Sequence, residues 1–370
     1  MYFSSLKEKQ MAENYPDSGR NLTKQIQPYK IIYPILIGIA VVGYMLYKEF
    51  DPAAFDLITF TWNTVFWLVV AVLCMVMRDI GYIIRIRILS DNNLSWMQAF
   101  RIIMLWEFTS AVTPSAVGGT SIAILFVHKE GIGIGKSSAM VMATSLLDEL
   151  YFIIMFPLIL ICVNQQQLWE INESSQVIVK GLMTLAITGY LLKLIYLLIL
   201  SYGLFKNPRS LKFIIMRLFK WKLLRKWRHD ANEAGTDIIR NSKELKMKPW
   251  SFWLKTFGAT FWSWTSRYWL VNVLLMAFWF GQYDWADHIL IFARQLVMWI
   301  MMLVTPTPGG SGFAEFIFTE YLGNFIPGAG VAVAIAILWR LISYYPYLII
   351  GVFTVPRWLT KNFGKSKKSK

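Results

Sequence analysis

From Val177 to Phe205 the chain runs 29 residues with only two charges, Lys180 and Lys193. About 20 predominantly apolar residues suffice for a helix to cross the hydrocarbon core of a bilayer. Further apolar runs lie at about Ile31–Tyr47, Leu57–Met77, Ser137–Val163, Phe252–Phe280 and Gly328–Val355. Each is continuous rather than alternating, which excludes a transmembrane β-barrel. With 56% of its 370 residues hydrophobic, the chain reads as an all-α, polytopic membrane protein with about six transmembrane helices.

Two further apolar segments are interrupted. Thr305–Glu315, TPTPGGSGFAE, separates Ile289–Val304 from Phe316–Ile326, and each flank is short for a span. Its prolines and glycines cannot continue a helix. A helix that enters the membrane, breaks and returns to the same side accounts for the pattern. Non-helical backbone at membrane depth is tolerated only where it is buried in protein or lines a cavity. The loop is thus either part of a site or a re-entrant turn that only packs. A weaker copy, TPSAVGGT at Thr113–Thr120, lies between Trp96–Val112 and Ser121–His128, with Ser95 and Gln98 forming a capping box at the start.

The formal net charge is +15, but the charges fall in the loops, which points to anionic lipid headgroups rather than nucleic acid. Arg78, Arg85 and Arg87 read as a basic interfacial segment. Lys206–Lys248 holds 13 Lys/Arg against 4 Asp/Glu, interleaved with aromatic and aliphatic residues, and reads as amphipathic helices on the membrane surface. The loops near 48–56, 164–176 and 281–288 are acidic or neutral. By the positive-inside rule both termini are cytoplasmic, the first hairpin opens from the cytoplasm and the second from the outer face. Each half then reads span, span, broken hairpin, span, in opposite orientation. That is an inverted-topology repeat, the architecture of many alternating-access carriers. The expected divisions are a polar tail (1–30), a first membrane repeat (31–205, re-entrant loop 113–120), a basic segment (206–250), a second repeat (251–356 plus the span 177–205, re-entrant loop 305–315) and a basic tail (357–370). The first 30 residues lack the apolar core of a cleaved signal peptide.

Ionisable groups within spans are costly and usually functional. Asp148, with Glu149 beside it, lies as far beyond Thr113 as Arg340 lies beyond Thr305. The two halves therefore place opposite charges at equivalent depths, either as a salt bridge locking the halves together or as part of a substrate path. Arg101 and Arg294 also sit at near-equivalent places, and Glu107 and Glu315 flank the loops. Snorkelling arginines and a helix-capping Glu315 are the structural alternatives. The loops suit an anion: each Gly-Gly precedes a helical arm whose first N–H groups lack intrahelical partners, and glycine permits close approach. Thr113, Pro114, Ser115, Gly118 and Gly119 in the first loop, and Thr305, Pro308, Gly309, Gly310, Ser311, Gly312 and Glu315 in the second, are candidates for a headgroup path with Asp148, Glu149, Arg294 and Arg340. Cys74, Cys162 and the three histidines lack metal-ligand spacing, and no phosphate-binding motif of an ATP motor occurs. No cofactor is expected.

TPTPGGSGFAE, the alanine-rich Val331–Arg340, TPSAVGG and LLDEL at Leu146–Leu150 together resemble the lysylphosphatidylglycerol synthase transmembrane region, or flippase-like integral membrane family. The similarity runs from about Ile31 to Val355. It implies a non-enzymatic translocator of an anionic or aminoacylated phospholipid, or of a polyprenyl-phosphate lipid, in the bacterial inner membrane. Thr120 departs from the acid many relatives carry there. The chain ends about fourteen residues past its last span, without the soluble transferase domain of the full-length synthases. The alternative is a membrane subunit of a lipid-modifying system whose catalytic domain is on a partner enzyme.

Overall fold

The computed structural model describes residues 60–112, 116–169, 176–207, 242–278, 283–302 and 312–363, with a few isolated residues between them. Their regular structure is all helical, with no strand among the described residues. In order they are α1 (Trp62–Leu89), α2 (Trp96–Val112), α3 (Ala116–Lys129), α4 (Ile134–Cys162), α5 (Gln165–Trp169), α6 (Gln176–Ser201, running into a π turn at Tyr202–Lys206), α7 (Trp250–Phe278), α8 (Trp285–Met302), α9 (Phe313–Leu322), α10 (Ala329–Ser343) and α11 (Tyr345–Phe363). The expected first span at 31–47, most of the basic segment 206–248 and both tails lie outside the described residues.

Local chemistry sets several boundaries. Thr61 and Thr64 cap the start of α1 reciprocally, side chain to backbone N–H. Past its end, Asp91 and Asn92 both take the left-handed conformation (φ 58° and 59°), which short polar side chains tolerate. The predicted capping box starts α2: the Gln98 N–H donates to Ser95 Oγ (3.2 Å), and the Ser95 N–H to Gln98 Oε1 (2.9 Å).

The helices run between two ends of one bundle. At the first end, Asp91 accepts from Lys136 at the start of α4 (2.9 Å) and from Lys248 just before α7 (2.5 Å). Burial pushes the Asp91 carboxyl up, but these two hydrogen bonds outweigh it and hold it below its ordinary value. There too Arg101 of α2 pairs with Glu130 just after α3 (2.6 Å), so α2 and α3 start and finish together. At the other end Phe60 meets Phe278 (6.0 Å between centroids), and the Tyr283 hydroxyl donates to the Phe325 carbonyl (2.8 Å). The start of α8 and the end of α9 therefore also meet, at the opposite end from α2 and α3.

Helices α1 and α7 run antiparallel down the middle, and theirs is the most extensive helix pairing among the described residues. Gly81 permits the approach, since a Cβ there would lie 2.8 Å from the Ala259 carbonyl oxygen and 2.9 Å from Ser263 Cβ. Small residues at such crossings let membrane helices pack closely.

Among the described residues four helical stretches are long and apolar enough to cross a membrane, Trp62–Leu89, Ile134–Cys162, Met183–Lys206 and Ala329–Trp358. Helix α7 is also long enough, but carries Lys255 and Arg267 among many Trp, Ser and Thr residues. The chain is a multi-pass integral membrane protein. One expected boundary is wrong: the second span does not stop at Met77 but continues through Arg78, Arg85 and Arg87 to Leu89.

Candidate functional site

Because α1 continues, Arg78 and Arg85 lie buried within a helix rather than in a loop, whereas Arg87, in its last turn, is only part-buried and bonds the Leu94 carbonyl (3.0 Å). Arg78, Tyr82 and Arg85 fall on one helix face at spacings of four and three. All three are buried, and both guanidinium carbons lie within 5 Å of the Tyr82 ring centroid, at 4.8 and 4.7 Å. Arg78 Nη2 pairs with Glu107 of α2 at 2.5 Å, and Nη1 with Asp79 at 2.9 Å. The Tyr347 hydroxyl of α11 donates to Asp79 (3.0 Å to each oxygen), and Ser263 Oγ of α7 donates to the Arg78 carbonyl (2.7 Å).

Arg85 reaches across to α4. Its Nη1 donates to Asp148 Oδ1 (2.5 Å) and to Thr260 Oγ1 (3.2 Å), while Trp264 Nε1 donates to the same Asp148 oxygen (2.7 Å). Glu149, the next residue, binds Lys193 Nζ of α6 at 2.7 and 3.0 Å. The Lys193 ammonium also lies 4.6 Å from the Phe152 ring centroid. Phe152, Trp264 and Trp299 form a contiguous aromatic layer joining α4, α7 and α8. Three ion-pair groups are thus joined across α1, α2, α4, α6, α7 and α11 in the middle of an apolar bundle. Burying such charges is costly, and only pairing together with further hydrogen bonds sustains it.

Of the two readings of Asp148, Glu149 and Arg340, the salt bridge between them is not formed. Arg340 Nε instead donates to Glu315 Oε1 at 2.8 Å, both residues being buried. Glu315 sits in the first turn of α9, and its other oxygen accepts the Gly312 N–H (2.7 Å), as a helix-capping carboxylate does. Gly312 itself has φ 85°, a conformation other residues adopt only under strain. Opposite charges at equivalent chain positions do not meet here because each has a nearer partner on a neighbouring helix.

Arg294 is buried at the opposite end of the bundle from Asp91. Its Nη1 donates to the Tyr321 carbonyl (2.7 Å) and its Nη2 to the Gln167 carbonyl (2.6 Å), so it ties α8 to α9 and to α5. Gly118 and Gly119 lie within the first turns of α3 rather than before it, since that helix begins at Ala116. Thr113, Pro114, Ser115, Thr305, Pro308, Gly309, Gly310 and Ser311 lie outside the described residues. The Tyr344 hydroxyl donates to the Ala111 carbonyl (3.0 Å), which places the end of α10 beside the point where α2 runs into the first loop.

Sequence reasoning missed Arg78, Asp79, Arg85, Lys193, Trp264 and Arg267. Lys193 had a plain signal as one of two charges in 29 residues. The four-and-three spacing of Arg78, Tyr82 and Arg85 was another, because it marks a single helix face rather than a loop.

Fold and site define a polytopic helical membrane protein with a buried ion-pair network threading its central helices. The chain belongs to the family described as lysylphosphatidylglycerol synthase TM region, whose model matches residues 31–351. It is similar to a UPF0104 membrane protein of Archaeoglobus fulgidus, 27% identical over 345 residues that cover 89% of this chain and 97% of the relative.

Proposed function

We propose that the chain moves a phosphate-bearing amphiphile, an anionic or aminoacylated phospholipid or a polyprenyl-phosphate lipid, between membrane leaflets, without chemical modification of its own. The observation that carries this reading is the placement of the ion-pair network. Lys193–Glu149, Tyr347–Asp79, Thr260–Arg85 and Ser263–Arg78 each join residues of the first expected repeat to residues of the second. Polar groups at that seam give a headgroup exchangeable partners where the surrounding bilayer offers none.

The inverted repeat is part of the same proposal. A shift of 192 residues, the separation of Thr113 and Thr305, carries α1, α2, α3 and α4 onto α7, α8, α9 and α10–α11. The packing repeats as well: α1 lies on α2 as α7 on α8, α3 on α4 as α9 on α10, and α4 on α7 as α10 on α1. Two hairpins that open at opposite ends fit re-entrant loops entering from opposite faces. Helix α9, at about 15 Å, spans half the hydrocarbon core. With the basic loops inside, six spans and both termini in the cytoplasm follow, in the cytoplasmic membrane of a bacterium.

Reconstitution into liposomes with leaflet-specific quenching of a fluorescent phosphatidylglycerol tests the reading. Exchange faster than in protein-free liposomes is expected. An unchanged rate for phosphatidylglycerol, for an aminoacylated phospholipid and for a polyprenyl phosphate would refute it, leaving a membrane subunit that serves a separate lipid-modifying enzyme.

A further inference from the structure

Arg267 lies near the middle of α7, and its environment differs from that of the charges already described. It points to the inward face of the helix, on the stripe that carries Thr260, Ser263, Trp264 and Val271. Those four are buried, three of them completely, yet Arg267 keeps part of its surface accessible. Part of this side chain is therefore open to contact, while Trp264 beside it is buried. Its guanidinium carbon lies 5.6 Å from the Trp264 ring centroid and 5.1 Å from that of Trp299 on α8. No carboxylate or carbonyl among the described residues accepts a hydrogen bond from it, whereas Arg78, Arg85, Arg294 and Arg340 all have such acceptors.

We infer that Arg267 is the headgroup-binding arginine of this membrane core and that its ligand is a phosphate oxyanion. The reasons are chemical. A guanidinium presents five N–H donors in a planar fork that matches two oxygens of a phosphate. Two indole rings hold the group by cation–π attraction without using any of those donors. In a low-dielectric interior an unmatched cation is costly, and an entering anion offsets that cost. Trp264 also donates to Asp148, so a ligand drawn onto Arg267 would bear on the residue that anchors the Arg85 pair. The identification of the anion as part of a lipid rests on the function proposed above.

The test is equilibrium binding of a fluorescent phosphatidylglycerol to the purified 370-residue chain in uncharged detergent micelles. Diacylglycerol with the same chains is the phosphate-free control, and inorganic phosphate is the competitor. The wild type is expected to bind phosphatidylglycerol about tenfold or more tightly than diacylglycerol, a preference typical of charge-assisted hydrogen bonds. Arg267→Gln should abolish the preference and Arg267→Lys retain part of it, with the unfolding midpoint little changed because no ion pair is broken. Full preference in Arg267→Gln overturns the assignment. Should Arg267→Gln fail to fold, Arg267→Lys decides, and wild-type affinity in that variant counts against a guanidinium fork. Displacement by millimolar inorganic phosphate, without lipid preference, makes the site a free-anion site and rejects the lipid. Binding through Arg267 without leaflet exchange in liposomes leaves the site standing and the translocation reading fallen. Exchange that is equally fast in Arg267→Gln does the reverse.

Discussion

Asp148 joins α1, α4 and α7, accepting hydrogen bonds from both Arg85 and Trp264 at one oxygen. Removing one partner of a buried pair strands the other charge. Asp148→Asn or Arg85→Gln should therefore each destabilise the protein by about 3–5 kcal/mol, while the double variant loses much less than their sum. Thermal unfolding of the four proteins in one detergent checks this, and additive losses would show that the pair is not energetically coupled. The need for this pair was only half legible in the sequence. Asp148 stands out in an apolar run, but Arg85 lies 63 positions away among three arginines that look like a basic loop. What extends α1 past Met77 is tertiary: Glu107, Asp148 and Tyr347 come from three other helices, and no local pattern announces them. Arg340 illustrates the converse. Equal spacing from the two loops correctly marked it as buried, but spacing along a chain does not fix which neighbour is nearer, and Glu315 is.

Among the elements, the antiparallel α1–α7 pair is the spine of the molecule, and its closeness depends on Gly81. A leucine there has no room against the Ala259 carbonyl and Ser263. Gly81→Leu should cost about 1–3 kcal/mol by overpacking and should weaken both the Ser263–Arg78 and the Thr260–Arg85 contacts, which cross the same seam. A lowered unfolding midpoint measures the first effect. Slower leaflet exchange at a temperature where the variant is folded measures the second. Gly81→Ala, with a single added methyl, should fall between, and a leucine variant as stable as the wild type would mean that the helices are free to part. Helix existence was well marked in the sequence: among the described residues the apolar runs are helical, and the Ser95–Gln98 capping box forms as expected. Helix ends were not, because charged residues terminate a hydropathy pattern whether or not they terminate a helix.

For the whole molecule, the proposed translocation requires two halves of opposite orientation sharing one buried charge network. The structure brings the outer ends of α2 and α3 together around Arg101–Glu130, and those of α8 and α9 together around Tyr283–Phe325. In the sequence the two Thr-Pro and Gly-Gly loops suggest a repeated helix order. The seam contacts were not legible there, since each needs both halves folded. The most direct measurement is sidedness at the loop tips. In a Cys74→Ala/Cys162→Ala background, single cysteines in place of Ser115 and Ser311 are treated with a membrane-impermeant thiol reagent, applied to sealed vesicles of each orientation. The account predicts that position 115 reacts only from the cytoplasmic side and position 311 only from the outer side. Reaction of both from the same side would contradict it.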